Sequence, residues 1–230
     1  MPVARRLTFL LALPLAATVL FAAWGVWSTG RQARGADRLA ALVAVSAASG
    51  EVVDALSRER LAAAQLVSSP VGNVNALLEQ VIRTDRAVGE YRQRRGRFNA
   101  DDVDAERLFA PFDGQLGRLS VLREQVRTRS VSRTTVLVRY RVAISQGLAM
   151  RETVGQVGGA DGQVADLLRV SAALSRALEY GGIQQTAVLA GSGVVLSQAA
   201  QQELAAARAG YEEALLTVAD RSPGRWRSWL

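Results

Sequence analysis

The stretch Val53-Asp54-Ala55-Leu56-Ser57-Arg58-Glu59-Arg60-Leu61-Ala62-Ala63-Ala64-Gln65-Leu66 decides the fold. It belongs to a pattern that steps by three and four through Leu39, Leu42, Ser46, Ser49, Val53, Leu56, Arg60, Ala63 and Val67. Residues at that spacing share one face of an α-helix, and most of these are apolar or small, so the face is expected to look inward. Arg60 sits in the middle of it. A guanidinium on a buried seam is costly unless it meets an anion or a dense hydrogen-bond network. Two readings stand side by side. Arg60 pairs with a carboxylate of a neighbouring helix, or snorkels out of the seam; or it holds a small anionic ligand. Arg58 lies roughly 200° round the helix from Arg60 and is expected on the rim, paired with Glu59 or a neighbour.

Composition points the same way. Of the 230 residues, 49% are hydrophobic and only 6% aromatic, with five prolines, a balance that favours helices over sheet. The formal net charge is +7, and all 28 basic residues are arginine. The arginines are dispersed among acids, which fits solvated helix faces better than a nucleic-acid surface, so no nucleic-acid partner is expected. The densest run, Arg92, Arg94, Arg95 and Arg97, suits a helix C-terminus, where positive charge meets the dipole. Cysteine and histidine are both absent. That removes thiolate chemistry, the commonest general base and the commonest zinc ligand, and tells against a hydrolase or metalloenzyme. No catalytic residue, cofactor or metal site is expected.

The chain opens with a short basic segment, residues 1–6, that carries Arg5 and Arg6. Residues 7–27 then run 21 positions without a charge, long enough to cross a bilayer as a helix. The exit, Trp24-Gly25-Val26-Trp27, is a poor signal-cleavage site and a good interfacial anchor. This predicts an uncleaved, single-pass transmembrane signal anchor with the bulk of the chain extracytoplasmic.

Six helical stripes follow, separated by turn signals. The first runs from about residue 34 to Val67 and is broken by Ser68-Ser69-Pro70-Val71-Gly72-Asn73, with Asn73 as N-cap of the next. The second shows Val74, Leu78, Val81, Asp85 and Val88 inward. Asp85 is thus the rival partner for Arg60, with Thr84 beside it. A third opens at Asn99-Ala100-Asp101-Asp102 and carries Leu108, Phe109, Phe112, Leu116, Leu119, Leu122 and Val126, with Pro111 as a start or kink. Ser132 caps a fourth with Val136, Tyr140, Ile144, Leu148, Arg151 and Val154 inward. The glycines of 155–162 read as a loop. The fifth shows Val164, Leu168, Ser171, Leu174, Leu178, Gly182, Gln185 and Leu189, and ends at Gly191-Ser192-Gly193. Ser197 caps a sixth through Ala219, with Leu204, Tyr211, Leu215 and Val218 inward; residues 220–230 form a tail. The fold expected is all-α: an up-down antiparallel helical bundle behind an N-terminal transmembrane helix.

Several of these residues fall into ordered motifs. Leu56-Ser57-Arg58-Glu59-Arg60 resembles the L-Q-R-E-R-G signature of the nitrate- and nitrite-sensing (NIT) family. Thr84-Asp85 with Ala87 is similar to that family's T-D-x-A. The stretch from Leu119 to Tyr140 is similar to its third and fourth helices, and Leu178-Glu179-Tyr180-Gly181-Gly182-Ile183-Gln184-Gln185-Thr186 to its K-E-x-A-G-x-E-R-A. The resemblance covers residues 35–219 and implies an all-helical sensor bundle, as in actinobacterial membrane sensor histidine kinases, that binds nitrate or nitrite for two-component signal transduction. Carried over residue by residue, it makes Arg58, Arg60, Glu179 and Gln185 ligand-binding. The sequence departs from the family at Gln185, where arginine is frequent, and at Leu61, where glycine is. No kinase follows Leu230, so output through a homodimer or a separate sensor kinase is expected. The alternative is a membrane-anchored helical interaction bundle without a small ligand, a truncated or decayed sensor.

Overall fold

The computed structural model describes residues 3–69, 72–98, 102–156, 162–191 and 198–221, without the side chains of 3–34, 163 and 188–191. Among these residues it is helical with no strand, and the chain divides into two compact units, Met1–Ala41 and Leu42–Leu230. The helices are α1 (Val3–Ser68), α2 (Val74–Arg95), α3 (Val103–Gly117), α4 (Leu119–Arg127), α5 (Arg133–Gln156), α6 (Gly162–Gly191) and α7 (Gln198–Arg221). In the first unit the described backbone is helical, residues 7–27 included.

The second unit is the bundle. Its helices begin where the sequence offers caps. The Asn73 side chain accepts from the backbone N–H of Asn75 and Ala76, Asp102 accepts from Ala105, and Ser132 accepts from Thr135. The single expected third helix is two, broken at Arg118, which serves both ends without a side-chain cap. Pro111 neither starts nor breaks α3: it lies inside the helix on its exposed side. α4 ends in a Schellman turn with Arg129 in the left-handed region, φ 53°; the N–H of Ser130 reaches the Gln125 carbonyl and that of Arg129 reaches Val126. The cap expected at Ser197 and residues 157–161 of the loop expected over 155–162 lie outside the described residues; Gly155 belongs to α5 and Gly162 opens α6.

Paired residues give the directions. Ser46 and Glu59 of α1 meet Arg151 and Tyr140 of α5, so these two helices run antiparallel. The pairs Arg151–Ser171 and Arg133–Thr186 make α5 and α6 antiparallel. The contact of Tyr180 with Gly210 and the pair Asp166–Arg221 do the same for α6 and α7. The up-down bundle is therefore present. The bundle portion of α1 is its central element: Leu42, Val45, Val52, Val53, Leu56, Ala63 and Leu66 are all buried. Gly35–Ser68 is itself long and apolar enough to cross a membrane, but its apolar surface is covered by the other helices from Leu42 on.

The expected stripes hold in α1, α3, α4 and α5. Three others are displaced. In α2 the buried residues are Leu77, Thr84, Val88 and Tyr91, while Val74, Leu78 and Asp85 are exposed. The helix is turned so that Tyr91 packs edge-on to Phe112, with ring centroids 5.3 Å apart, and donates its hydroxyl to Asp113 at 2.8 Å. In α6, Ala172, Ala173 and Ala177 are buried while Ser171, Leu174, Leu178 and Gln185 are exposed. The alanines let α6 approach its neighbours closely, and Val170 and Ala173 form one cluster with Val218 of α7. α7 likewise buries Ala207 and Ala214 and leaves Tyr211 37% exposed.

Candidate functional site

Arg60 is where the stripe places it, on the buried face of α1, 3% exposed. Its partner is Glu179 of α6. Arg60 Nη1 donates to Oε1 at 2.5 Å, and Ser57 Oγ donates to Oε2 at 3.2 Å. Asp85, the rival expected from the second stripe, is not the partner: it is largely exposed and accepts from Arg123 at 2.7 Å. Thr84 is buried, but its hydroxyl turns back to the Gln80 carbonyl of its own helix, so it is no partner of Arg60. Gly182 lies one turn beyond Glu179. A β-carbon there would stand 2.9 Å from Arg60 Nη2, so this glycine makes room for the guanidinium. Arg60 Nε is buried and has no hydrogen-bond partner among the described residues.

Two cavities meet at Arg60. One, of about 390 Å³, brings together Arg58, Arg60, Glu179 and Gln185, the four ligand candidates, with Asp54 and Tyr211. Arg58 lies on its rim, paired at 2.8 Å with Asp54 rather than with Glu59. The other, of about 250 Å³, is lined by Arg60, by Arg133 and Arg141 of α5, by Ile183 and Thr186 of α6 and by Glu203 of α7. Arg133 donates to the Thr186 carbonyl at 3.3 Å, and Arg141 pairs with Glu203. The Nε of Arg141 is buried without a partner among the described residues, like that of Arg60. Neither α5 arginine stands out in the sequence: Arg141 falls beside the buried stripe, and Arg133, although it continues the spacing three residues before Val136, is the first residue of the helix and only half-buried.

Next to Arg60 on α1, Glu59 anchors a second polar network. Glu59 is fully buried, not on the rim. It accepts from Arg123 Nε at 2.7 Å and Nη2 at 2.8 Å, and from the Tyr140 hydroxyl at 2.6 Å. Burial works against the Arg123 charge, but Glu59 and then Asp85 outweigh it and hold its pKa above the ordinary value. Burial, reinforced by the Glu59 carboxylate, raises that of Tyr140. The spacing Val45, Val52, Glu59, Leu66 is the signal that places Glu59 inside. A second buried guanidinium, Arg151, has no carboxylate in ion-pair reach among the described residues. It donates to the Ser46 carbonyl and to the Ser171 hydroxyl at 2.6 Å, and burial lowers its pKa. Among the described residues no group of three or more acidic side chains could hold a metal.

Comparison with known proteins agrees with the geometry. The family model for nitrate and nitrite sensing matches residues 51–229. A solved structure, that of the NasR transcription antiterminator, superposes with a TM-score of 0.76 at 16% identity; the alignment covers 90% of this chain and 57% of the other, which establishes likeness of fold. No curated protein matches. With a family model matching residues 51–229, most of its length, the chain belongs to the nitrate- and nitrite-sensing (NIT) family.

Proposed function

We propose that this chain is a membrane-anchored, extracytoplasmic sensor domain that binds a small monoanion such as nitrate or nitrite and performs no chemistry. Its signal passes by helix repacking to a partner, either a second copy or a separate kinase. The observation that carries the reading is Arg60: a buried guanidinium whose Nε has no partner among the described residues, set between two cavities. Nitrate is planar, weakly hydrated and singly charged, and a guanidinium matches it with parallel N–H···O bonds. Binding that discriminates between two helix packings shifts their populations, which is all a sensor needs. The anchor rests on residues 7–27, charge-free and helical.

The test is a nitrate titration of the full chain in detergent, followed by thermal unfolding at fixed ionic strength. The unmutated protein is expected to melt higher in millimolar nitrate than in equimolar chloride, and Arg60→Gln is expected to lose that difference. One observation favours a second reading: Glu179 already neutralises Arg60 at 2.5 Å, as a purely structural pair would. In that case nitrate has no effect on the unmutated protein, and Arg60→Gln lowers stability by about 3–5 kcal/mol by stranding a buried carboxylate. The protein is then an interaction bundle.

A further inference from the structure

The two cavities at Arg60 differ in charge. In the larger one Arg58 is tied to Asp54 and Arg60 to Glu179, so its lining is neutral. In the smaller one Arg60 is answered by Glu179 and Arg141 by Glu203, while Arg133 meets no carboxylate among the described residues and only a backbone carbonyl. One positive charge is left over, at a half-buried site where water screens it less than at the surface. Both unpartnered Nε atoms at the site, those of Arg60 and Arg141, belong to side chains that line this same cavity. Its 250 Å³ holds a planar monoanion together with several waters, at about 30 Å³ each.

We infer that the anion occupies the cavity on the α5 side, that Arg133 is its principal counter-charge, and that Glu203 competes with it for Arg141. The inference rests on the anion-sensor reading and adds to it the place of the ligand and two residues outside the recognised motifs. It also supplies the transmitted change. Glu203 ties α7 to α5, and an anion that takes over Arg141 releases that tie. A single excess charge suits a monoanion; a dianion would have to displace Glu203 altogether.

Calorimetry and thermal shift of the full chain in detergent, with sodium nitrate as the probe, test this. Arg133→Gln is expected to raise the half-saturating nitrate concentration roughly ten- to hundredfold, the value of a charged hydrogen bond. Arg133→Lys, which keeps the charge, is expected to retain most of the affinity. Glu203→Gln, which removes the competitor, is expected to lower half-saturation roughly two- to fivefold, the size of an exposed ion pair. A nitrate response in Arg133→Gln equal to that of the unmutated chain overturns the inference and leaves the sensor reading standing. So does loss of the response in Arg58→Gln while Arg133→Gln keeps it, since that puts the anion in the other cavity. Should Arg133→Gln not fold, Glu203→Gln decides: an unchanged or weaker response overturns the inference. No response in the unmutated chain overturns the sensor reading and this inference together.

Discussion

At the scale of single residues, the bundle is fixed by polar groups that cannot be left unpaired. Glu59 has a seat only because Arg123 and Tyr140 reach it from α4 and α5. Tyr140→Phe removes one of the two donors to Glu59 Oε1, which keeps Arg123 Nε, and is expected to cost about 0.5–1.5 kcal/mol. Denaturant unfolding measures it. Neither residue lines the cavities at Arg60, so the variant is expected to keep its nitrate shift. The sign of the pH effect follows from the raised Tyr140 pKa. The contribution is complete below the ordinary tyrosine value, about 10, and falls away as pH climbs above it, because only the unfolded chain ionises there. Alkaline loss of stability should thus be shallower in Tyr140→Phe. Arg60 was legible from its place on the stripe, since a charge amid apolar positions is visible in one dimension. Its partner was not, because Glu179 and Asp85 are equivalent until the rotation of α2 and α6 is known.

Those rotations are decided at the scale of the element. Large apolar residues mark the inward face where helices stand apart, as in α3 with Phe109, Phe112 and Leu116. Where helices approach closely, small residues take the inward face and the leucines turn out, as in α6. A stripe drawn through leucines therefore succeeds in α3 and fails in α6, and the glycines tell which regime applies. A β-carbon on Gly147 of α5 would stand 2.7 Å from Val53 and 2.9 Å from Phe112. Both are buried in a packed core, so Gly147→Ala is expected to destabilise by about 1–3 kcal/mol, read from the shift in denaturant midpoint. Gly182 differs in kind, because what a β-carbon would meet there is the head group of Arg60. Gly182→Ala is expected to change the fold little and to weaken the nitrate shift, by pushing that guanidinium off Glu179. The same titration that tests Arg60 reads it. A fully retained shift would show that the position of Arg60 is not critical.

At the scale of the whole molecule, charge decides which stretch suits a membrane. Two pass on length and composition, residues 7–27 and the Gly35–Ser68 part of α1. The second carries Glu59 and Arg60, each bonded to other helices, and its apolar face from Leu42 on is covered. Drawing it into lipid would bring charges into hydrocarbon, Glu51 and Asp54 in its most apolar part and Arg58, Glu59 and Arg60 just beyond, at roughly 2.5–3.5 kcal/mol for each charge near the centre. Residues 7–27 carry no charge and face no such cost. The anchor is therefore expected there, with α1 from Leu42 on as the core of the bundle. Replacing Ala17 and Leu20 together by arginine should remove about 5–7 kcal/mol of insertion energy and release the protein from carbonate-washed membranes. Circular dichroism and melting of the released protein should match the parent in helix content and retain the nitrate shift, since both substitutions lie outside Leu42–Leu230. Continued membrane retention of the double variant would move the anchor elsewhere. Loss of the bundle's melting transition would show instead that the first unit is needed for the second to fold.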